Sequence, residues 1–580
     1  MREKTCDTRH NPEGEFRGTL RRRRAFVKRK KTLLFALPIG LAAIALLAAS
    51  AAMGRTSASD TLVFGTASDP VVLDGPLVSD GESLRPIDQI FEGLVGLKSG
   101  TTQVVPALAT SWKASKNGLA WTFTLRQGVK FQDGSSFNAA AVCFNFNRWY
   151  NFPGPLQSDA VSYYWNTVFG GFKNPVGTNP GPDKSLYQSC KAQGSSTATI
   201  TLSRPSSSFI GALALTNFGM ASPTALKKYQ ADAGTVDSNG VFHPTGTFGT
   251  QHPIGTGPYM LKSWSVGDKL VLTANPKYWG PKPKLKQIIL KPIADNAARL
   301  QALQTGEIQG YDLVDPADMG TIKSSSSLKL LNRPAFNVGY VGINQKIKPF
   351  DNPLVRQALA YGLDRAGVVN GFYAGRGQVA NQFLPPLVVG FAPKGVPSYS
   401  FNPDKAKQLL QQAGVSLPLA VDFYYPTSVS RPYMPDPKRN AEAFGAGLEK
   451  SGFKVTFHAA PWRPDYLGEV QSGKAELYLL GWTGDFGDPA NFLNVHFGAP
   501  NDQFGFTNPA LFNLLKKADS ETNLEKRAAL YQQASIAVMK FLPMVPYVHS
   551  MPALAFQKNV LGYKPSPVSL EPFAPVYFGK

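Results

Sequence analysis

From Asn337 to Phe541 extended runs alternate with helix-starting signals, and this alternation restricts the fold more than any other feature of the chain. Asn352-Pro353 and Asn402-Pro403 each set a capping side chain before a first-turn proline. Leu354 to Val369 then carries apolar residues at helical spacing, and Asp404 to Ala413 forms a second helix stopped by Gly414. Leu419 to Tyr425, Lys454 to Ala459 and Ala475 to Leu480 read as strands, with helices over Arg439 to Lys450 and Glu525 to Phe541. Strands and helices in turn make an α/β lobe.

At 580 residues the chain is too long for one core, so at least one further lobe is required. Its signals precede Asn337. Thr61 to Thr66 and Trp121 to Leu125 alternate as half-buried strands, as does Ala198 to Leu202. Leu125 to Arg148 reads as strand, Asp-Gly turn and helix, with Asn138 as the N-cap. Asn151 to Thr197 is rich in Gly, Pro, Ser and Tyr and is expected to be mostly loop. Gly255 to Trp279 gives two strands across a Val266-Gly267-Asp268 turn, and Ala297 to Thr305 gives a helix ended by Gly306. After Pro543 short extended pieces are expected to rejoin the first lobe.

The net charge of +21 is unevenly distributed. Residues 1–58 hold 13 Lys/Arg against four Asp/Glu, leaving +12 for the other 522 residues, where basic side chains are scattered. Nucleic-acid binding is therefore not expected. The basic block Arg21–Arg24 and Lys28–Lys31 precedes an uncharged apolar run, Leu33 to Met53, long enough to span a bilayer. Positive charge before such a run holds the first residues inside and sends the body out. Small residues at Ala49–Ala52 and Ser57-Ala58 offer sites to a signal peptidase, while the run is also long enough to stay as an anchor. Arg23-Arg24-Ala25-Phe26-Val27-Lys28 resembles a twin-arginine export signal.

The segment Gly481 to Gly498, GWTGDFGDPANFLNVHFG, places Asp485 and Asp488 in a Gly- and aromatic-rich loop after a buried strand. Asp488-Pro489 can start a helix as cap and first-turn proline, whereas Asp485 is left to meet a cation. This loop resembles the one with which dipeptide- and oligopeptide-binding proteins of ABC importers, the extracellular solute-binding proteins of family 5, hold a peptide's amino terminus. The stretches Leu125–Arg148 and Gly255–Trp279 are similar to that family too, and the resemblance runs from about Thr61 to Tyr577 in family order. It departs at Ala140 or Ala141, where the family usually has an acid, and at Gln309, where an Asp is common.

The resemblance implies an α/β fold, a bilobal periplasmic-binding-protein-like clamp (type II, cluster C) with an extra small domain inserted in the first lobe. The expected boundaries are a tail and signal or anchor segment over 1–58, lobe I over 59–95, 246–335 and 545–580, the inserted domain over 96–245, and lobe II over 336–544. It also implies that Asp485 binds the ligand's ammonium and that Arg431, in Ser430-Arg431-Pro432-Tyr433, binds its carboxylate through a planar fork. Trp482, Thr483 and Gly484 would line the cleft beside Asp485, Trp482 serving equally well as core, and Tyr433 would pack on the ligand. Ser68 and Asp69 are candidates on the opposing side. Cys143 and Cys190 fall in the same exported lobe, where a disulfide is favoured over two buried thiols.

The expected function is capture of short peptides, dipeptides first, outside the cytoplasmic membrane, for delivery to the transmembrane subunits of an ABC permease. The expected protein is a monomer without cofactor or metal, touching the membrane through its N-terminal segment. A longer peptide, an opine, a nickel chelate, a sugar or haem stands as the alternative ligand class. No G-x-S-x-G elbow and no H-E-x-x-H helix occurs, so an exported hydrolase is the remote alternative.

Overall fold

The computed structural model describes residues 60–237, 241–568 and 570–579, so the basic tail and apolar run expected over 1–58 lie outside the described residues. Two large sheets organise the body. The first has seven strands, with the parallel Thr61–Thr66, Gln287–Pro292 and Gly310–Tyr311 strands at its centre. Tyr259–Ser265 and Lys269–Ala274 form the antiparallel hairpin at one edge, and Ala553–Gln557 and Leu328–Asn332 lie at the other. A four-stranded sheet of Ala109–Ala114, Ala120–Leu125, Thr197–Leu202 and Tyr187–Gln193 belongs to the inserted region. One continuous core joins this sheet to the first lobe, from Phe64 and Leu290 through Phe123 to Trp149 and Trp165.

The second lobe is built on six strands in the order Gly377–Val379, Met544–Ser550, Asn337–Ile343, Leu477–Thr483, Leu419–Thr427 and Phe453–Pro461. Every residue of Asn337–Ile343 and of Met544–Ser550 is buried, as expected of central strands covered on both faces. Met544–Ser550 pairs with Asn337–Ile343, so the return to the first lobe comes at Ala553 and not at 545. The short pieces after Pro543 supply a strand to each sheet in succession, first to the six-stranded one and then to the seven-stranded one.

Local signals account for most elements. Asn138, Asn352, Asn402 and Asn523 all accept a first-turn N–H through the side chain. Gly306 and Gly414 take left-handed φ of 82° and 73° after their helices. One expectation fails. The helix over Leu354–Val369 is two helices, Pro353–Gly362 and Arg365–Phe372, because the Asp364 carboxylate accepts the Gly367 N–H and caps a new start. Asn151–Thr197 is mostly loop, as expected, with the short helix Tyr163–Phe169 and the strand Tyr187–Gln193 set into it. Cys143, on the helix Ala139–Tyr150, is bonded to Cys190 on that strand across a Cα separation of 5.1 Å.

Candidate functional site

Leu419–Thr427 and Leu477–Thr483 are parallel neighbours, so their C-terminal ends leave the second sheet at the same edge. Arg431 lies four residues past the first strand and Asp485 two past the second. Loops at the carboxyl ends of adjacent parallel strands are where α/β sheets present ligand sites. The strand runs further than the sequence indicates, so Trp482 and Thr483 sit on it and the loop begins at Gly484.

That glycine is required: a Cβ there would lie 2.2 Å from Phe336 Cε1. Its N–H donates to the Phe336 carbonyl at 2.9 Å, and the chain then turns toward the first lobe. Asn491, on the first turn of the helix Ala490–Phe497, organises the turn. Its Oδ1 accepts the Asp485 N–H at 2.8 Å and the Trp482 Nε1–H at 3.3 Å, while its Nδ2 donates to Asp485 Oδ2 at 3.0 Å. The second carboxylate oxygen, Oδ1, accepts the Tyr164 hydroxyl at 2.7 Å. Tyr164 lies on Tyr163–Phe169 of the inserted region, so this hydrogen bond crosses from one lobe to the other.

Desolvation pushes the Asp485 carboxyl up to about 6 against the lowering effect of Asn491 and Tyr164. Among the described residues no cation stands by it, so its charge is met by hydrogen bonds alone. Thr483 is beside it with a buried hydroxyl that has no hydrogen-bond partner. Trp482 is half-buried and stands edge-on to His496 at 4.9 Å.

Asp488 differs from Asp485 in one decisive way. Both of its oxygens are held at 2.8 Å by Arg527, and Oδ1 also accepts the Ala490 N–H at 2.9 Å. It fastens the loop to the helix Leu524–Phe541 and starts the helix after Pro489. Between the two acids, Phe486 is buried in the core of the first lobe, where a Cβ on Gly211 would be 3.3 Å from its ring. Gly487 approaches Thr102 so closely that a Cβ would meet it at 2.5 Å. The lobes therefore touch along this loop, and again where the Ser207 N–H donates to the Asp519 carbonyl at 2.9 Å.

Arg431 is half-buried with its guanidinium 4.3 Å from the centroid of Trp462. Its loop is fixed by backbone bonds between Arg431 and Met434 and by the Tyr373 and Tyr547 hydroxyls on the Tyr433 carbonyl, at 2.8 and 3.1 Å. The Tyr433 ring is buried under the strand bearing Trp482, where a Cβ on Gly481 would lie 2.3 Å from its Cδ2. It joins the two loops from within. Ser68 is exposed, whereas Asp69 accepts the Trp264 indole N–H at 3.0 Å and the Gly267 N–H at 2.8 Å. Both oxygens of Asp69 thus pin the Tyr259–Ala274 hairpin. Sequence reasoning missed Asn491 and Tyr164. The first is six residues from Asp485 at a helix start, a findable signal; the second is 321 residues away and left none.

Comparison with known proteins gives a consistent result. Residues 103–504 match the family described as bacterial extracellular solute-binding proteins, family 5 Middle. The chain is 31% identical over 536 residues to Heme-binding protein A of Haemophilus influenzae, covering 90% of this chain and 92% of that protein. It is 30% identical over 553 residues to the Dipeptide-binding protein of Escherichia coli, covering 93% and 97% respectively. Among solved structures, the dipeptide binding protein of Pseudoalteromonas sp. SM9913 in complex with Met-Leu superposes with a TM-score of 0.76 at 26% identity, over 90% of this chain and all 100% of that one. A periplasmic binding protein of Helicobacter pylori in complex with the peptide STSA gives a TM-score of 0.75 at 28% identity, over 90% and 98%.

Proposed function

The chain belongs to the bacterial extracellular solute-binding proteins of family 5, and from that premise we propose that it captures short peptides, dipeptides first, and passes them to the transmembrane subunits of an ABC permease. The family consists of substrate-binding components of transporters, not enzymes. One observation carries the peptide reading: Asp485 is a desolvated carboxylate with hydrogen bonds but, among the described residues, no cation, at the edge of the sheet where Arg431 also emerges. An ammonium group would supply the missing charge, and a carboxylate in low dielectric binds it strongly.

The roles follow from this. Asp485 takes the ligand's amino terminus, with Tyr164 and Asn491 holding the carboxylate in place. Thr483 offers its hydroxyl to the ligand backbone, Gly484 keeps the approach open, and Trp482 walls the end of the strand. Arg431, stacked on Trp462, takes the carboxyl terminus. The basic and apolar segment within residues 1–58 directs export and serves as a membrane tether, with the binding body outside as a monomer.

The test is calorimetric titration of the purified protein with dipeptides beside their N-acetylated twins. Binding of the free amines only is expected. Equal binding of the acetylated forms would remove Asp485 as anchor. Failure of every dipeptide together with tight binding of haem, named in the Haemophilus relative, would move the ligand to that alternative.

A further inference from the structure

Arg376 and Arg431 line one small cleft between the lobes. Its volume is ≈ 30 Å³, room for about two waters or one small anion. Leu313, Val314 and Met319 of the first lobe and Pro432 of the second give it apolar walls. The two arginines differ in what they already meet. The Arg431 guanidinium is engaged, 4.3 Å from the centroid of the Trp462 ring. Arg376 is 8% exposed, and its Nε and Nη1 are buried without a hydrogen-bond partner. Burial lowers its pKa from the ordinary arginine value, and among the described residues no acidic group opposes that effect. An arginine does not lose its proton in a protein, so the charge remains. Two hydroxyls beside the cleft are committed elsewhere: Ser550 Oγ donates to the Pro432 carbonyl, and Tyr373 Oη to the Tyr433 carbonyl.

The backbone holds Arg376 in place. Ala374 and Gly375 take successive left-handed conformations, φ 49° and 73°, which turn the chain sharply after the helix Arg365–Phe372. Such a φ is unfavourable for alanine and persists only where the surroundings fix it. The Arg376 N–H closes the turn onto the Tyr373 carbonyl at 2.8 Å, and its own carbonyl accepts the Met551 N–H at 2.8 Å. Gly377 then pairs with Ser550 in the edge strand. Arg376 is therefore fixed on both sides, next to the segment that returns to the first lobe at Ala553.

Orphaned donors on a buried cation cost free energy, and an anion that fits beside them removes that cost. One anion is enough, because a single guanidinium needs one negative charge and the cleft has room for one such group. We propose that the cleft is a site for one small monovalent anion, of the size of chloride or formate, held by the Nε and Nη1 donors of Arg376. The anion and any carboxylate entering the same cleft occupy it in turn. A peptide whose carboxyl terminus enters beside Arg431 therefore displaces the anion, and its affinity falls as the anion's concentration rises. This competition rests on the function proposed above; the anion site itself does not.

The test sets sodium chloride against sodium gluconate at equal ionic strength, gluconate being too large for the cleft. Without peptide, chloride is expected to raise the unfolding temperature of the wild-type protein in a saturable way, because a ligand of the folded chain alone stabilises it by mass action. Arg376→Met and Arg376→Gln should each remove that rise. In calorimetric titrations with chloride at about ten times its own Kd, the Kd of Ala-Ala should be about tenfold higher than in gluconate. Chloride acting no differently from gluconate on the wild type would overturn the proposal, and so would a rise that both variants retain. If chloride stabilises through Arg376 but Ala-Ala binds equally in the two salts, the anion site stands and the competition falls. If chloride stabilises through Arg376 and no dipeptide binds in either salt, the anion site stands and the peptide reading falls.

Discussion

Asp485 should make ligand binding depend on pH in a calculable way. Its carboxyl is raised from an ordinary 3.8 to about 6 in the ligand-free protein. In the folded state, ionisation is thus penalised by about 3 kcal/mol relative to the unfolded chain. At pH 7 about nine molecules in ten carry the charge that an ammonium needs, and at pH 5 about one in ten. A peptide amino group, with a pKa near ~8, stays charged throughout. Dipeptide affinity should therefore fall about tenfold from pH 7 to pH 5, and binding at pH 6 should release about half a proton. Calorimetry in two buffers of different ionisation enthalpy measures both quantities. Asp485→Asn should weaken binding by ~2–5 kcal/mol at pH 7 and remove the proton release. The sign for folding is opposite. Because the folded pKa lies above the unfolded one, the stability contribution is present below 3.8 and lost as pH rises through about 6. Asp485→Asn should accordingly unfold at higher denaturant than wild type at pH 7, by up to about 3 kcal/mol, and converge with it near pH 4. Affinity unchanged between pH 7 and 5, with no buffer-dependent heat, would refute the reasoning.

Three further outcomes are expected. Arg431→Ala should cost free-carboxylate dipeptides ~2–5 kcal/mol and spare C-terminally amidated ones, and equal losses in a paired titration would remove its assignment. Arg527→Ala leaves the Asp488 carboxylate buried without its two 2.8 Å partners, so denaturant unfolding should show a loss of ~3–5 kcal/mol, against none for a merely surface pair. Replacing Cys143 and Cys190 by serine opens a link with a sequence separation of 47 and should lower stability by about 3–4 kcal/mol in the same assay.

The caps and stops were legible because they are local chemistry. An Asn side chain reaches a first-turn N–H, and a glycine accepts left-handed φ, whatever the rest of the chain does. The break at Asp364 was legible in principle, since Gly362-Leu363-Asp364 contains the signal, but the apolar periodicity on either side masks it. The strand Leu477–Thr483 outran its apparent end because pairing with Asn337–Ile343 continues through Trp482 and Thr483. Asp488 and Asp485 look alike in sequence, three residues apart in one loop. Arg527, 39 residues away, is what separates an acid paired with a cation from one that, among the described residues, is met by hydrogen bonds alone.

The amino-acid order alone determined the alternation of strands and helices and the two strand-end loops that carry Asp485 and Arg431, because periodicity and turn chemistry act over a few residues. Only tertiary structure decided that Tyr164 meets Asp485 from the other lobe and that Asp69 is committed to a hairpin. Those outcomes depend on which surfaces lose water together and which charges find a counterpart there, and no local pattern encodes that.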